Sequence, residues 1–222
     1  MVIETFSGLT HFDEVSEDLS GSEIGPELVD HDLFSEQLRL IGQLSNIERQ
    51  KTMSPISCTK RLDVQHFYKS LTDASERSRR LGEGFIPIHL AESFDSLVEA
   101  FHRAGLIYAY QVLVTEEDAE AFIYDLHEEL FRVLQSIDGD DFAQNLAWPL
   151  FIAGTECRND EEKQKWIEDK IKETNASMGF NNGHPVVLFL RTFWASLDNK
   201  RGQCWIRFAR DYRKDGSHFF VF

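Results

Sequence analysis

The sequence of 222 residues contains little cysteine: Cys58, Cys157 and Cys204 are its only thiols, and they lie far apart. An odd and scattered set is unlike the even disulfide framework of a small secreted protein. The cysteines also lack the paired spacing of a zinc site. We therefore expect reduced thiols in an intracellular compartment, and neither a bound metal nor a cofactor.

The sequence also lacks a long apolar run. Its longest apolar stretches, residues 106–114 and 185–190, fall well short of the ~20 residues that a membrane-spanning helix needs. The first fifteen residues have neither a basic start nor a continuous apolar stretch, so we expect no secretion signal there. The sequence therefore predicts no membrane segment.

Motifs that carry catalysis are missing as well. None of the eight histidines forms a His-x-x-x-His pair, and no Gly-x-Ser-x-Gly elbow or phosphate loop occurs. Neighbouring acids such as Glu128 and Glu129 point to different faces of a helix. We therefore predict no catalytic residue and a protein that is not an enzyme. A deep pocket that holds a cysteine, a histidine and an acid within hydrogen-bonding reach would reopen that question.

Basic residues are scarce, since 23 Lys and Arg stand against 38 Asp and Glu and give a formal net charge of −15. An acidic surface repels nucleic acid. The basic residues occur in small groups diluted by acids, without the basic stripe that nucleic-acid binding requires. Direct DNA binding by this chain alone is therefore not expected.

The acidic residues are concentrated at the start of the chain. Residues 1–38 hold ten of them and no Lys or Arg. Apolar residues alternate with these acids, a composition that is typical of flexible segments and of amphipathic activation segments. We predict a flexible acidic segment over residues 1–31. It is either a solvated tail or an activation segment that acts through Phe6, Phe12 and Leu19.

The remainder, residues 32–222, is predicted to form one helical domain, because apolar residues recur at helical spacing. With 42% hydrophobic residues to fill a core, we expect an all-α, irregular multi-helix bundle of about seven helices. The predicted helices cover residues 32–49, 64–81, 91–114, 117–137, 141–157, 160–175 and 185–197. The last stretch, residues 204–222, fits either a short hairpin or a final helix.

Glycine and proline mark where these helices are expected to break. Gly82, Gly84 and Pro87 are expected to break the chain after the second helix, so that the arginines of residues 77–80 form its basic C-terminal end and complement the helix dipole. Pro149 is expected to interrupt the fifth helix. Pro185 suits the first position of the seventh.

One stretch of the sequence is distinctive: WPLFIAGTEC at residues 148–157. It resembles the WPLFIAG-x-E signature of the fungal-specific transcription factor domain, the helical regulatory region of zinc binuclear cluster activators. AGLIYAY at residues 104–110 is similar to a helix upstream in that family. Trp166-Ile167, residues 179–182 and Phe193-Trp194 follow in the family's order and approximate spacing.

The resemblance spans about residues 90–205 and implies a transcription-regulatory domain in the nucleus; without it, the cytoplasm is the expected compartment. It also implies protein partners, either a second copy of the chain or the transcription machinery. The family's six-cysteine zinc cluster is not in this sequence, so the likeness is to the C-terminal regulatory part alone.

The tryptophan-led stretch also supplies the candidate site. Its unbroken apolar run predicts a helix that is enclosed on most sides, and a glycine in it permits close approach of a neighbouring helix. An acid beside that run needs a polar partner if it is buried. The residues concerned, which are either central core or the wall of an effector pocket, are Trp148, Phe151, Gly154, Glu156 and Trp194.

Two functions follow from these observations. The first is a regulatory module that binds another protein or a small effector without catalysis. The alternative is a small-molecule-sensing helical domain that has no direct role in transcription.

Overall fold

The computed structural model describes residues 33–53, 64–137, 142–178, 183–196, 199 and 203–214, and all regular structure within these ranges is helical. The eight α-helices of this part of the chain are α1 Ser35–Met53, α2 Val64–Phe85, α3 Ala91–Leu113, α4 Glu116–Ser136, α5 Ala147–Glu156, α6 Glu161–Met178, α7 Gly183–Ala195 and α8 Trp205–Lys214. Short 3₁₀ turns, Ile88–Leu90 and Ala143–Asn145, precede α3 and α5.

The predicted all-α bundle is confirmed. Of the two alternatives for the C-terminal stretch, the helix is the one that residues 205–214 adopt. The acidic segment predicted over residues 1–31, with its candidate residues Phe6, Phe12 and Leu19, lies outside the described residues. Cys58 lies outside them too.

Helix α3 forms the middle of the bundle. It packs against α1, α2, α4 and α5, and every residue from Ala104 to Tyr110 is buried. A helix that is apolar on all sides belongs inside a protein, because each of its faces needs a partner. The AGLIYAY stretch of the sequence is therefore the central part of this helix.

Helix α5 is enclosed in the same way. Every residue from Trp148 to Thr155 is buried, and α3, α4, α6 and α7 pack around it. At Gly154 the neighbours come very close: a Cβ atom there would lie 2.8 Å from Cδ1 of Leu190 and 3.1 Å from Cγ2 of Ile167. The missing side chain of Gly154 thus sets the spacing between α5 and the two helices after it.

The predictions that Pro149 interrupts a helix and that Pro185 begins one are wrong. The chain leaves the 3₁₀ turn before residue 147, so α5 contains Pro149 as its third residue and is not interrupted there. Pro185 is likewise the third residue of α7, which begins at Gly183. The backbone N–H groups of a helix's first turn have no intrahelical acceptor, so a proline there removes no helical hydrogen bond.

The break expected at Gly82, Gly84 and Pro87 is wrong for the two glycines, because α2 continues through them to Phe85 and ends two residues before Pro87. Gly82 faces α3, and a Cβ atom there would lie 2.2 Å from Cε1 of Phe94. The glycine therefore allows two helices to touch, a role that local sequence does not distinguish from helix breaking.

The arginines before these glycines consequently lie within α2 and not at its C-terminal end. Arg77 forms an ion pair with Glu36 of α1 at 2.8 Å, and Arg79 pairs with Glu99 of α3 at 2.5 Å. Ion pairs between helices thus replace the helix dipole as the reason for two of these cations.

The two glycines of α2 provide a matched test of this packing. Gly82→Ala should lower the free energy of unfolding by about 1–3 kcal/mol, because the new methyl group overlaps the buried Phe94 ring. Gly84→Ala should raise it by up to about 1 kcal/mol, since alanine favours the helix and no atom lies within 4 Å of its Cβ position. Urea denaturation measures both, and equal effects at the two positions would contradict the packing described.

Candidate functional site

The candidate residues of α5 lie in an aromatic cluster at the centre of the bundle. The Trp148 side chain is 1% exposed, stacked on Phe101 with ring centroids 5.8 Å apart and edge-on to Tyr108 at 6.4 Å. Phe151 is completely buried and meets the ring of Trp205 edge-on at 4.9 Å. Edge-on and offset arrangements of this kind are the favourable ones for aromatic pairs.

A chain of hydrogen bonds joins α8 to the centre of the bundle through Gln111. The indole Nε1 of Trp205 donates to Oε1 of Gln111 at 2.9 Å, and Nε2 of Gln111 donates to Oε1 of Glu156 at 2.7 Å. The two bonds use the two ends of one amide, so the orientation of the Gln111 side chain is fixed. Helices α3, α5 and α8 therefore share one polar network.

The carboxyl group of Glu156 is the titratable end of this network. Its side chain is 9% exposed, and Nη2 of Arg158 lies 3.8 Å from Oε2. Burial raises the pKa of Glu156 from 4.5 to about 7, against the opposing effects of Arg158 and of the hydrogen bond from Gln111. A carboxyl with such a pKa exchanges its proton near neutral pH and can either donate or accept a hydrogen bond.

Trp194 and Gly154 meet directly. The indole Nε1 of Trp194 donates to the carbonyl oxygen of Gly154 at 2.8 Å. This carbonyl is in the last turn of α5, where it lacks a donor four residues on and accepts only the capping N–H of Cys157, at 3.3 Å, from the backbone. Trp194 of α7 thus supplies a hydrogen-bond donor to the C-terminal end of α5.

The structure therefore places all five candidate residues on or against α5. Whether they form an effector pocket stays a prediction. Sequence reasoning missed Gln111, Trp205 and Tyr108 as members of this site. Gln111 did leave a signal, because it is the one polar amide in the apolar run of residues 106–114. Trp205 left none, since its partners Gln111 and Phe151 lie far upstream in the sequence.

A second cluster brings together a cysteine, a histidine and an acid. Sγ of Cys157 lies 3.9 Å from Nε2 of His127, whose Nδ1 lies 3.8 Å from Oε1 of Glu128. The Cys157 side chain is 1% exposed, and burial raises the pKa of its thiol well above the usual range. Burial and the charge of Lys163 lower the pKa of His127 to about 4.

The thiol and the imidazole of this cluster are therefore both neutral at physiological pH. A nucleophilic cysteine reacts as the thiolate and needs a low thiol pKa. The arrangement of Cys157, His127 and Glu128 has the opposite electrostatics and is not activated for nucleophilic catalysis.

The described residues contain no group of three or more His, Cys, Asp or Glu side chains that is arranged to hold a metal ion. In the same part of the chain, no helix combines the length and the apolar character that crossing a membrane requires.

A family model described as the fungal specific transcription factor domain matches residues 33–221, well over half of the chain. No curated protein and no solved structure matches the chain.

The titration of Glu156 should be visible in the pH dependence of stability. The carboxyl binds its proton more tightly in the folded chain, where its pKa is about 7, than in the unfolded chain, where it is near 4.5. Between these two pH values the folded state holds more protons, so the contribution of Glu156 to stability falls as the pH rises.

Glu156→Gln should remove this dependence, because the amide does not ionise and its oxygen still accepts the hydrogen bond from Gln111. The free energy of unfolding of the variant, relative to that of the wild type, should rise by about 2–3 kcal/mol between pH 4.5 and pH 7.5. Urea denaturation of both proteins across that range measures the difference. A difference that does not change with pH would show that the pKa of Glu156 is the same in the folded and the unfolded chain.

Proposed function

The chain belongs to the family of fungal specific transcription factor domains, which gives it a transcription-regulatory role, and from this premise we propose that it acts by binding other molecules, without catalysis. The family match over residues 33–221 is the observation that carries the proposal. The nucleus is the compartment in which such a domain would act.

The electrostatics of the Cys157 and His127 pair argue against catalysis by that pair. The Cys157 thiol and the His127 imidazole are uncharged, and burial keeps them so. Enzymes generally tune such groups in the other direction, towards a reactive thiolate and a base that titrates near neutral pH. A regulatory domain needs neither.

The charge of the chain supports protein partners over DNA. A formal net charge of −15 disfavours contact with phosphates, so we propose that the chain does not bind DNA by itself. The transcription machinery or a second copy of the chain are the partners we propose. The acidic segment would contact the transcription machinery through Phe6, Phe12 and Leu19, since apolar anchors supply most of the binding energy at an interface.

A second candidate function, the sensing of a small molecule, is favoured by the surroundings of Glu156. The carboxyl lies beside Arg158, whose side chain is 33% exposed, and it is bonded to Gln111, which also holds Trp205. A polar ligand that replaced one of these hydrogen bonds would change how α8 is held. A metabolite that binds only the native form raises the melting temperature, so thermal-shift screening against metabolites, with no protein partner present, separates this function from the binding of a protein.

A reporter assay tests the activation segment. Residues 1–38 fused to a heterologous DNA-binding domain should raise reporter expression above that of the DNA-binding domain alone. Replacing Phe6, Phe12 and Leu19 together by serine should abolish most of that increase, because the variant keeps the acids and loses the apolar anchors.

The matched control replaces Ser7, Ser16 and Ser20 of the same segment by alanine, which leaves charge and anchors intact and should leave the activity unchanged. No activity from the wild-type segment would remove the activation claim and leave the segment as a solvated tail.

A further inference from the structure

A stacked pair of aromatic rings lies at the surface where α4 packs against α3. The rings of Tyr110 on α3 and Phe122 on α4 have centroids 5.4 Å apart and an angle of 11° between their planes. Tyr110 is buried, whereas Phe122 is 58% exposed. The contact with Tyr110 holds the exposed ring in a fixed orientation, so Phe122 offers a flat apolar surface to solvent.

Tyr68 of α2 extends this surface across α3. Its side chain is 42% exposed, and burial and, second to it, the neighbouring phenol of Tyr68 raise the pKa of Tyr110. The helix register agrees: Oγ1 of Thr72 lies 3.2 Å from Nε2 of His102, and α2 and α3 are antiparallel, so Tyr68 is about one turn further along α3 than His102. Lys69 is exposed and lies about 100° around α2 from Tyr68. Exposed rings of α2 and α4 therefore border the ring of Tyr110.

Two carboxylates flank the exposed ring of Phe122. Asp118 lies one turn before it and Asp125 one turn after it on the same row of α4, and both side chains are exposed. The hydroxyl of Thr115 donates to Oδ2 of Asp118 at 2.7 Å. Within the part of the chain that the structure describes, neither carboxylate forms an ion pair.

The cations nearest to this surface are already paired or lie further along the helices. Two cations and two acids of α2, α3 and α4 pair with one another: Arg79, Arg103, Glu99 and Glu129. Arg132, the one Lys or Arg of α4, is about 10 Å along the helix axis from Asp125. The negative charge beside Phe122 is therefore not offset by a neighbouring cation.

A guanidinium group fits both features of this surface. Its planar face stacks on an aromatic ring, and its N–H groups donate to carboxylates at the same time. A lysine ammonium has the charge but not the flat face. An arginine side chain on the Phe122 ring would therefore contact the ring and the carboxylates of Asp118 and Asp125 together, and an apolar neighbour of that arginine would cover Tyr68.

We propose that an arginine-containing segment of another protein binds to the Phe122 surface, which consists of Tyr68, Tyr110, Asp118, Phe122 and Asp125. Tyrosine and arginine are among the residues that supply most of the binding energy at protein interfaces. Twofold pairing of the same surface in two copies of the chain would place like carboxylates against each other, which is unfavourable. The same carboxylates repel the phosphates of DNA.

This inference rests on the proposed function, because it gives the chemistry of one protein partner. The two fail separately. The regulatory role comes from the family match and does not require the Phe122 surface, and binding to this surface does not require the acidic segment of residues 1–31 to activate transcription.

Titration of the full chain with a short peptide of alternating arginine and leucine, followed by NMR chemical shifts, tests the proposal. The shifts should centre on residues 110, 118, 122 and 125, and they give the dissociation constant. Phe122→Ala should weaken binding about two- to fivefold, the loss of one cation–π contact at an exposed site. Asp118→Asn with Asp125→Asn should weaken it about threefold or more. A peptide with lysine in place of arginine should bind the wild type more weakly, because an ammonium group does not stack.

Each variant has a matched control. Tyr124→Ala removes another exposed ring of α4, 64% exposed and about 200° around the helix from Phe122, and should leave the affinity unchanged. Asp73→Asn with Asp169→Asn removes the same charge from exposed sites on α2 and α6 and should weaken binding less than the pair of substitutions beside Phe122. Circular dichroism should show the same helix content in all variants.

Equal losses in the variants and in their controls would show only that a basic peptide is attracted to an acidic chain, and they would overturn the proposal. No binding at millimolar peptide would overturn it too. Dimers of the chain without peptide that Phe122→Ala abolishes, measured by sedimentation, would assign the Phe122 surface to a second copy and overturn the proposal as well.

Discussion

The enclosure of α5 is the constraint on which the rest of the bundle depends. This helix has only ten residues, which is too short for an isolated helix to be stable in water. It forms because α3, α4, α6 and α7 bury it, and its own side chains fill the space between those helices. Trp148 and Phe151 extend this packing to rings on α3 and on α8. The helices are therefore coupled through one short element.

Hydrogen bonds made by Gln111 and Trp194 reinforce this coupling. Gln111 bonds both Trp205 and Glu156, and Trp194 bonds the carbonyl oxygen of Gly154. A buried amide or indole that loses its partner costs about 1–3 kcal/mol, so α7 and α8 have defined positions relative to α5. Glu156 is thus connected through Gln111 to Trp205 of the C-terminal helix.

Helical periodicity was sufficient to predict most of the fold, because the apolar residues on the buried side of an amphipathic helix recur every three to four positions in the sequence. The apolar run after Trp148 likewise indicated an enclosed helix and the family. Local sequence was insufficient where long-range packing decides: Gly82 contacts Phe94 and does not break α2, and Pro149 lies in the first turn of α5 and does not interrupt it. The partner of Glu156 was unpredictable for the same reason, since Gln111 lies 45 residues upstream.

Native-state hydrogen exchange of the α5 backbone tests the central role of this helix most directly. The amide of Leu150 is bonded to the carbonyl oxygen of Leu146 at 2.9 Å within the buried core. If α5 holds the bundle together, the amides of residues 150–156 exchange only when the whole chain unfolds, and their exchange free energy equals the free energy of unfolding measured with urea. Exchange of these amides at a lower free energy than those of α1 or α2 would contradict the account.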